Sequence, residues 1–477
     1  MQVFWHRRDL RAVDNVGLSA AADGVDEFGE VVPVFVFDEA LFEYASDARM
    51  AFVLDSLDEL RTAYRENGSG LVVRRGDPTR VVADLAHEVD AERVVWNRAH
   101  SGIGERRDDL VRDDLAEDGV DVSAFSDTAI HEPGEIRTNA GDPYQVYTYF
   151  WKKWRDAEKP RSRLEPESET LAAGSEHDVF DDGDPIPSLE ALGFAEPTAD
   201  VPSGGRGAGL EHLEDFCADD IFVYDDARNY PARDATSRLS PHLRFGTLGP
   251  REVFERTQSA MADADGEDEA ENVEAFQQQL AWREFYLQVL AFNQDVVTEN
   301  YTEYEHAIEW RDDPEELDAW RAGETGYPLV DAGMRQLAQE AWMHNRVRMV
   351  VASFLTKDLL ADWRHGYAHF RDHLVDHDTA NDNGGWQWAA STGTDAQPYF
   401  RVFNPQSQLE SYDPDAEYVK AYVPELRDVP AEKILDWVDL DDDEREALAP
   451  DYPAPIVDHS ERREEAIAMF ERARGDD

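Results

Sequence analysis

Val3-Phe-Trp5, Val31-Val-Pro-Val-Phe-Val-Phe37, Leu71-Val-Val-Arg74, Val94-Val-Trp96 and Val120-Asp-Val-Ser-Ala-Phe125 punctuate the first 130 residues as short β-branched and aromatic runs. Charged stretches of helical period, such as Met50–Arg65, lie between most of them. Strands alternating with helices read as βαβ units, which build a parallel sheet covered by helices. The expected fold of residues 1–130 is therefore a doubly wound, Rossmann-like α/β domain. No GxGxxG follows the first strand and no GxxxxGK(S/T) occurs, so the usual phosphate-binding fingerprints are missing.

Residues 144–154, Tyr-Gln-Val-Tyr-Thr-Tyr-Phe-Trp-Lys-Lys-Trp, read as an aromatic helix. Residues 156–209 are rich in Pro, Gly, Glu and Asp, and the interdomain connector is set at 131–209. From 210 to 477 strand-like runs disappear and aromatic-rich helical segments take over. The expected class is thus α/β followed by an all-α domain. Ala260–Asn272 reads as an acidic solvated loop and Glu461–Arg474 as an exposed terminal helix.

The 477 residues carry 104 Asp and Glu against 46 Lys and Arg, a net charge of −58. Only six of the basic residues are Lys. An apolar fraction of 42% with 11% aromatics excludes a disordered chain. The acidic skin fits an interaction protein that avoids polyanions, or a protein adapted to molar salt, where the Debye length falls to about 3 Å. Lysine scarcity favours the second reading, and nucleic acid then stays open as a partner. Cys217 is the single cysteine, which excludes intrachain disulfides and cysteine-based metal clusters. With no signal-peptide pattern and no run of about 18 apolar residues, the expectation is a cytoplasmic protein without a membrane span.

Three segments of the helical half mix aromatic and polar groups. The spacing i, i+3, i+4, i+7 puts Gln279, Trp282, Arg283 and Tyr286 on one helix face. Asn345, Arg348 and Met349 share a face by the same rule. Trp386 and Trp388, two apart, point about 200° away from each other on a helix. Each segment alone reads as packing. Together they point to a large pocket that stacks planar groups.

Thr325-Gly-Tyr-Pro-Leu-Val-Asp-Ala-Gly-Met334-Arg and Arg346-Val-Arg-Met-Val-Val-Ala-Ser-Phe-Leu-Thr-Lys357-Asp-Leu-Leu-Ala-Asp-Trp363 resemble the two signature stretches of the photolyase/cryptochrome family. Trp5-His-Arg-Arg-Asp-Leu-Arg11, Thr236-Ser-Arg-Leu-Ser240, Trp282-Arg-Glu-Phe-Tyr286 and Asn383-Gly-Gly-Trp-Gln-Trp388 agree with it. The resemblance runs through nearly the whole chain and is greatest to class I cyclobutane pyrimidine dimer photolyases. It implies FAD in the helical domain, with contacts at Tyr224, Thr236, Ser237, Arg238, Leu239, Ser240, Arg283, Arg348, Asp376 and Asp378. It implies light-driven electron transfer to a dimer flipped out of UV-damaged DNA. Trp282 and Trp388 would stack on that dimer, Met349 would touch it, and Asn345 and Gln279 would bond the thymines. Trp386, Trp363 and Trp310 match the family's electron-transfer chain; without the resemblance they read as core. Arg228, Arg346, Arg401 and Gln408 match DNA-side positions, while Lys152, Lys153 and Arg155 are weaker candidates.

Two positions depart from the class I pattern. Gln279 stands where those enzymes carry Glu, as in (6-4) photolyases and animal cryptochromes. Asp382 falls opposite flavin N5, where photolyases carry Asn; a buried Asp there can hold a proton and deliver it. In the α/β domain, Asn97-Arg-Ala-His100-Ser101 lacks the carboxylate of folate-binding relatives. This favours a deazaflavin antenna near Phe35, Phe37 and Asp38 over folate. His365, His369, His373 and His377 recur every four residues, but no metal is expected, because His377 lies between the two flavin-binding aspartates. The leading expectation is a monomeric dimer photolyase. The rivals are a cryptochrome photoreceptor, which Asp382 supports, and a (6-4) photolyase.

Overall fold

The computed structural model describes residues 1–100, 102–180 and 185–475. Its sheet is five-stranded and parallel, in the order β3-β2-β1-β4-β5. The strands are β1 Gln2–His6, β2 Val31–Phe37, β3 Val72–Arg75, β4 Arg93–Asn97 and β5 Asp121–Phe125. Each falls on an expected run. Trp5 on β1 lies opposite Val34 and Trp96, and all three are buried. Helices α1 Val16–Asp23, α2 Asp47–Glu66, α3 Pro78–Glu88 and α4 Gly102–Glu117 separate the strands. Asp77 caps α3 through the Thr79 N–H and Pro78 opens it, the usual chemistry of a helix start. The strand order reverses between β1 and β4. In open α/β sheets that reversal creates a crevice beyond the strands' carboxyl ends.

Then come α5 Tyr147–Asp156, α6 Ser240–Phe245, α7 Pro250–Asp263, α8 Glu267–Phe292, α9 Pro314–Ala322, α10 Asn345–Ser353, α11 Trp363–His373, α12 Thr379–Ala389, α13 Pro405–Tyr412 and α14 His459–Arg474. The chain divides into two compact units. One is Met1–Pro197 with Pro202–Phe222 and Ser237–Gln294; the other is Thr198–Val201 with Val223–Thr236 and Asp295–Asp477. Within the first unit a buried ionic cluster joins distant segments of the chain. Asp127 receives Arg11 at 2.6 Å and Arg251 at 2.5 Å, and Arg251 also reaches Asp14 at 2.7 Å. Burial alone would raise the Asp127 carboxyl, but the two guanidiniums hold it below the usual range. Arg251 on α7 is thereby tied to the sheet unit.

Two expectations are corrected. Ala260–Asn272 is mostly helical, with only 264–266 between α7 and α8. Glu267, Asp268 and Glu269 fill the first turn of α8, where negative charge suits the positive end of the helix dipole. The terminal helix α14 is exposed on one face only. Ala466, Met469, Phe470 and Ala473 are buried, and His459 Nδ1 lies 2.6 Å from Asp358. No helix among the described residues is long and apolar enough to cross a membrane.

Candidate active site

In the second unit three of the expected flavin residues, Arg348, Asp376 and Asp378, lie about the start of α12. Arg348, on α10, bonds Asp376 at 2.8 Å and donates from Nε to the Met343 carbonyl at 2.8 Å. Burial would lower Arg348, but Asp376 and Asp382 hold it above its ordinary value. Asp378 caps α12, its Oδ1 accepting the N–H groups of Ala380 and Asn381 at 3.2 and 3.1 Å. Asp376 Oδ1 is buried and has no hydrogen-bond partner. A buried acceptor left open asks for a ligand donor. The imide N–H of a flavin is a donor of that kind, so these residues fit FAD. Asp382 is not an isolated acid. Its Oδ2 lies 2.5 Å from His377 Nδ1 and accepts the Asp378 N–H at 3.2 Å. Arg348 Nη1 lies 3.9 Å from Asp382 Oδ1.

Asn345 and Met349 follow one another on the same face of α10, with Nδ2 3.8 Å from Sδ. On α12, Trp386 is buried and Trp388 partly exposed, as their spacing requires. Arg346 lies over the Tyr412 ring, 4.3 Å from its centroid, and bonds Asn229. Among the described residues it forms no ion pair, which is notable in so acidic a chain. Arg228 pairs with Asp225 at 2.7 Å and lies over Tyr224 at 5.3 Å. Gln408 Oε1, on α13, is buried without a partner. Thr236 ends a segment of this unit, and Arg401 is exposed.

In the first unit Arg238 adopts a left-handed conformation at φ 47°. This turns the chain into α6 at Ser240, after Ser237 and Leu239; no side chain caps that helix. On α8, Gln279 uses its amide nitrogen on the Ala275 carbonyl at 3.1 Å. Trp282 is stacked on Tyr147 of α5 at 3.6 Å and 10°. Arg283 donates to the Thr128 and Leu243 carbonyls, so part of its capacity serves the fold.

Glu284, beside Arg283, was not legible as special. It is buried and accepts from Trp154 Nε1 at 2.6 Å, the Ile130 N–H at 2.5 Å and the His131 N–H at 3.3 Å. Burial nevertheless pushes its carboxyl up to about 7. A carboxyl raised on folding contributes stability below its unfolded value near 4.5, which is lost as pH rises through about 7. A pKa that differs by one between the folded and unfolded chain is worth about 1.4 kcal/mol. Glu284→Gln is expected to abolish that decline, while its amide nitrogen leaves either the Ile130 N–H or the His131 and Trp154 donors without an acceptor. Urea melts on both sides of neutrality measure this; parallel curves for parent and variant would count against it.

Trp386 is packed against Phe370 at 4.9 Å and Trp320 at 6.1 Å. A Cβ at Gly366 of α11 would collide with its ring. Trp363 opens α11 and donates Nε1 to Asn300 at 2.9 Å. Trp310 is half-buried, its ring 5.9 Å from Phe470. None of the three expected chain members is in ring contact with another. Trp320, which sequence reasoning passed over, is the indole that touches Trp386.

At the carboxyl end of β2, Phe35 and Phe37 pack edge to face at 5.0 Å. Asp38 takes Arg107 at 3.0 Å, and Arg107 and Arg7 lie over Trp5 at 5.1 and 4.9 Å. Burial lowers His100 to about 4. Asn97 is bound inward, to Asp9 and Asn15; Ser101 lies outside the described residues.

Residues 2–169 match the family described as DNA photolyase, and residues 276–472 match the FAD binding domain of DNA photolyase. The chain belongs to the DNA photolyase family. It is 60% identical, over 100% of both chains, to a protein of Halobacterium salinarum named deoxyribodipyrimidine photo-lyase. Among solved structures, a class III photolyase from Agrobacterium tumefaciens superposes with a TM-score of 0.89 at 36% identity, over 99% of this chain and 98% of that one. An archaeal photolyase from Sulfolobus tokodaii, solved with two FAD molecules, superposes with a TM-score of 0.82 at 32% identity, over 99% of both chains.

Proposed function

We propose that this protein is a light-driven cyclobutane pyrimidine dimer photolyase, a lyase acting on UV-damaged DNA. The observation that carries the reading is the buried Arg348–Asp376 pair with one carboxylate oxygen open, in a chain 60% identical to a named photo-lyase. FAD held by Arg348, Asp376 and Asp378 would supply, when reduced and excited, the redox-neutral electron-transfer chemistry that splits the dimer. The chain's part is to bind, orient and exclude water. Thr236, Ser237 and Ser240 offer hydroxyls, and Arg238 and Leu239 backbone N–H groups, to the diphosphate. Tyr224 and Arg283 flank the cofactor. Arg348 and Asp376 orient its ring, Asp378 holds the α12 entrance, and Asp382, bonded to His377, lies beside it.

Trp282 and Trp388 receive the flipped dimer, Asn345 and Gln279 bond its polar edge, and Met349 fills against it. Arg228, Arg346 and Gln408 hold the DNA strand. Tyr147 seals one face of Trp282. A stacked pair is worth about 0.5–1.5 kcal/mol beyond its buried area. Tyr147→Ala is therefore expected to weaken damaged-DNA binding about two- to twelve-fold, and Tyr147→Phe much less, in a titration. Residues 1–130 serve the antenna, a deazaflavin in preference to folate, lodged by Phe35, Phe37 and Asp38; mass spectrometry of the chromophore released on denaturation identifies it. The helical part from 210 on carries the FAD.

The test is repair in molar KCl. Photoreduced protein is mixed with an oligonucleotide holding one thymine cyclobutane dimer, in light and in darkness, beside a (6-4) oligonucleotide. Light-dependent loss of the dimer alone is the expected result. No repair by flavin-loaded protein would turn the reading to a cryptochrome.

A further inference from the structure

We propose that the outer face of α5, which presents Tyr149, Lys152 and Lys153, grips the phosphate backbone of DNA flanking the lesion. This rests on the DNA-repair reading above. Helix α5 has two faces. Tyr147, Phe150, Trp151 and Trp154 are buried, whereas Tyr149, Lys152 and Lys153 are exposed, Tyr149 to 61%. A phenol of that exposure beside two adjacent ammonium groups has no packing purpose.

Lysine is the scarce cation of this chain, with six against 104 carboxylates, and Lys152–Lys153 is the one place where two stand together. Three of the other four are occupied. Lys159 donates to the Arg155 and Ala157 carbonyls at 3.1 and 3.0 Å and so closes the end of α5. Lys357 is buried on Ser391 at 2.9 Å. Lys433 lies 3.4 Å from Glu444. On α5 itself Arg155 is held by Asp156 and Glu274 at 3.2 and 3.3 Å. Lys152 and Lys153 form no ion pair among the described residues. Lys152 Nζ instead lies 6.0 Å from the Tyr149 ring. Two unneutralised ammonium groups and a phenolic O–H are donors for a polyanion.

Continuity with the lesion side makes DNA the partner. Tyr147, on the inner face of the same helix, stacks on Trp282 and donates its hydroxyl to the Gln278 carbonyl at 2.6 Å. From Tyr147 to Lys153 the helix rises about 9 Å. That is about three base steps of 3.4 Å, an offset that points the outer-face lysines toward a duplex arm flanking the lesion rather than toward the dimer itself.

The test compares two substrates. A dimer-containing duplex offers flanking phosphates; a thymine dimer dinucleotide does not. Removing two phosphate contacts lowers the slope of log affinity against log salt by about 1.8. The Lys152→Ala/Lys153→Ala variant is expected to show that flattening across a KCl series. At the lowest salt it should bind the duplex about ten-fold more weakly, yet repair the dinucleotide at the parent rate. Lys152→Arg/Lys153→Arg should restore the parent slope. An unchanged slope and duplex affinity overturns the proposal. So does parallel loss on both substrates, because α5 would then merely brace Trp282. A parent protein that repairs neither substrate sinks the photolyase reading instead, while the duplex titration still reports on the lysines.

Discussion

Asp376→Ala is expected to come off the column colourless. The carboxylate is 1% exposed and takes Arg348 at 2.8 Å on one oxygen, while the other is open toward a ligand. Its removal takes away both at once. The guanidinium keeps only the Met343 carbonyl and a distant Asp382. Breaking a buried pair from one side costs about 3–5 kcal/mol, because a buried charge is left uncompensated. The variant should therefore lose flavin and melt earlier. Asp376→Asn keeps the shape and an acceptor but not the charge, so it should retain part of the flavin. The ratio of flavin to protein absorbance after gel filtration reads the first effect, and a thermal melt the second. Circular dichroism matching the parent separates lost binding from lost folding. A folded Asp376→Ala protein with full flavin would show that the cofactor is anchored elsewhere.

How much of this was legible in the residues depends on which force shaped each element. The strands were legible because a parallel strand buried on both faces reads as an unbroken apolar run, and Val31–Phe37 is a strand over those same residues. The shared face of Asn345 and Met349 was legible from the helical period. The flavin set was not; it came from motif resemblance, since nothing in the spacing of Arg348 and Asp376 announces a pair. Ionic contacts have no period, so the Asp14–Arg251–Asp127–Arg11 cluster, and with it the attachment of α7 to the sheet unit, was invisible. In α14 the signal was present but diluted. Ala466, Met469, Phe470 and Ala473 keep the i, i+3, i+4, i+7 spacing, yet charged residues surround them. Glu284 and Trp320 were missed for a further reason: burial turns an ordinary carboxyl or indole into a special one, and burial is a property of the fold.

Trp386→Phe is expected to bring light-driven reduction of the bound flavin down to background while leaving repair by chemically reduced protein near the parent level. Trp386 is 2% exposed, and its indole nitrogen has no partner. Water cannot reach it, so an electron arriving there must come through neighbouring rings. Phenylalanine fills most of the space against Gly366 and should cost about 1–2 kcal/mol of stability, but it is far harder to oxidise than indole. The split between the two assays is the point, because a merely structural role would depress both. The next step outward is a choice between two helices. Trp363 opens α11 but makes no ring contact with Trp386, whereas Trp320 on α9 lies 6.1 Å away, edge to face. If the family order holds, Trp363→Phe blocks photoreduction as Trp386→Phe does and Trp320→Phe leaves it intact. If direct ring contact decides, the two single variants exchange behaviours. Undiminished photoreduction in Trp386→Phe would remove the first member of the chain and the argument for the rest.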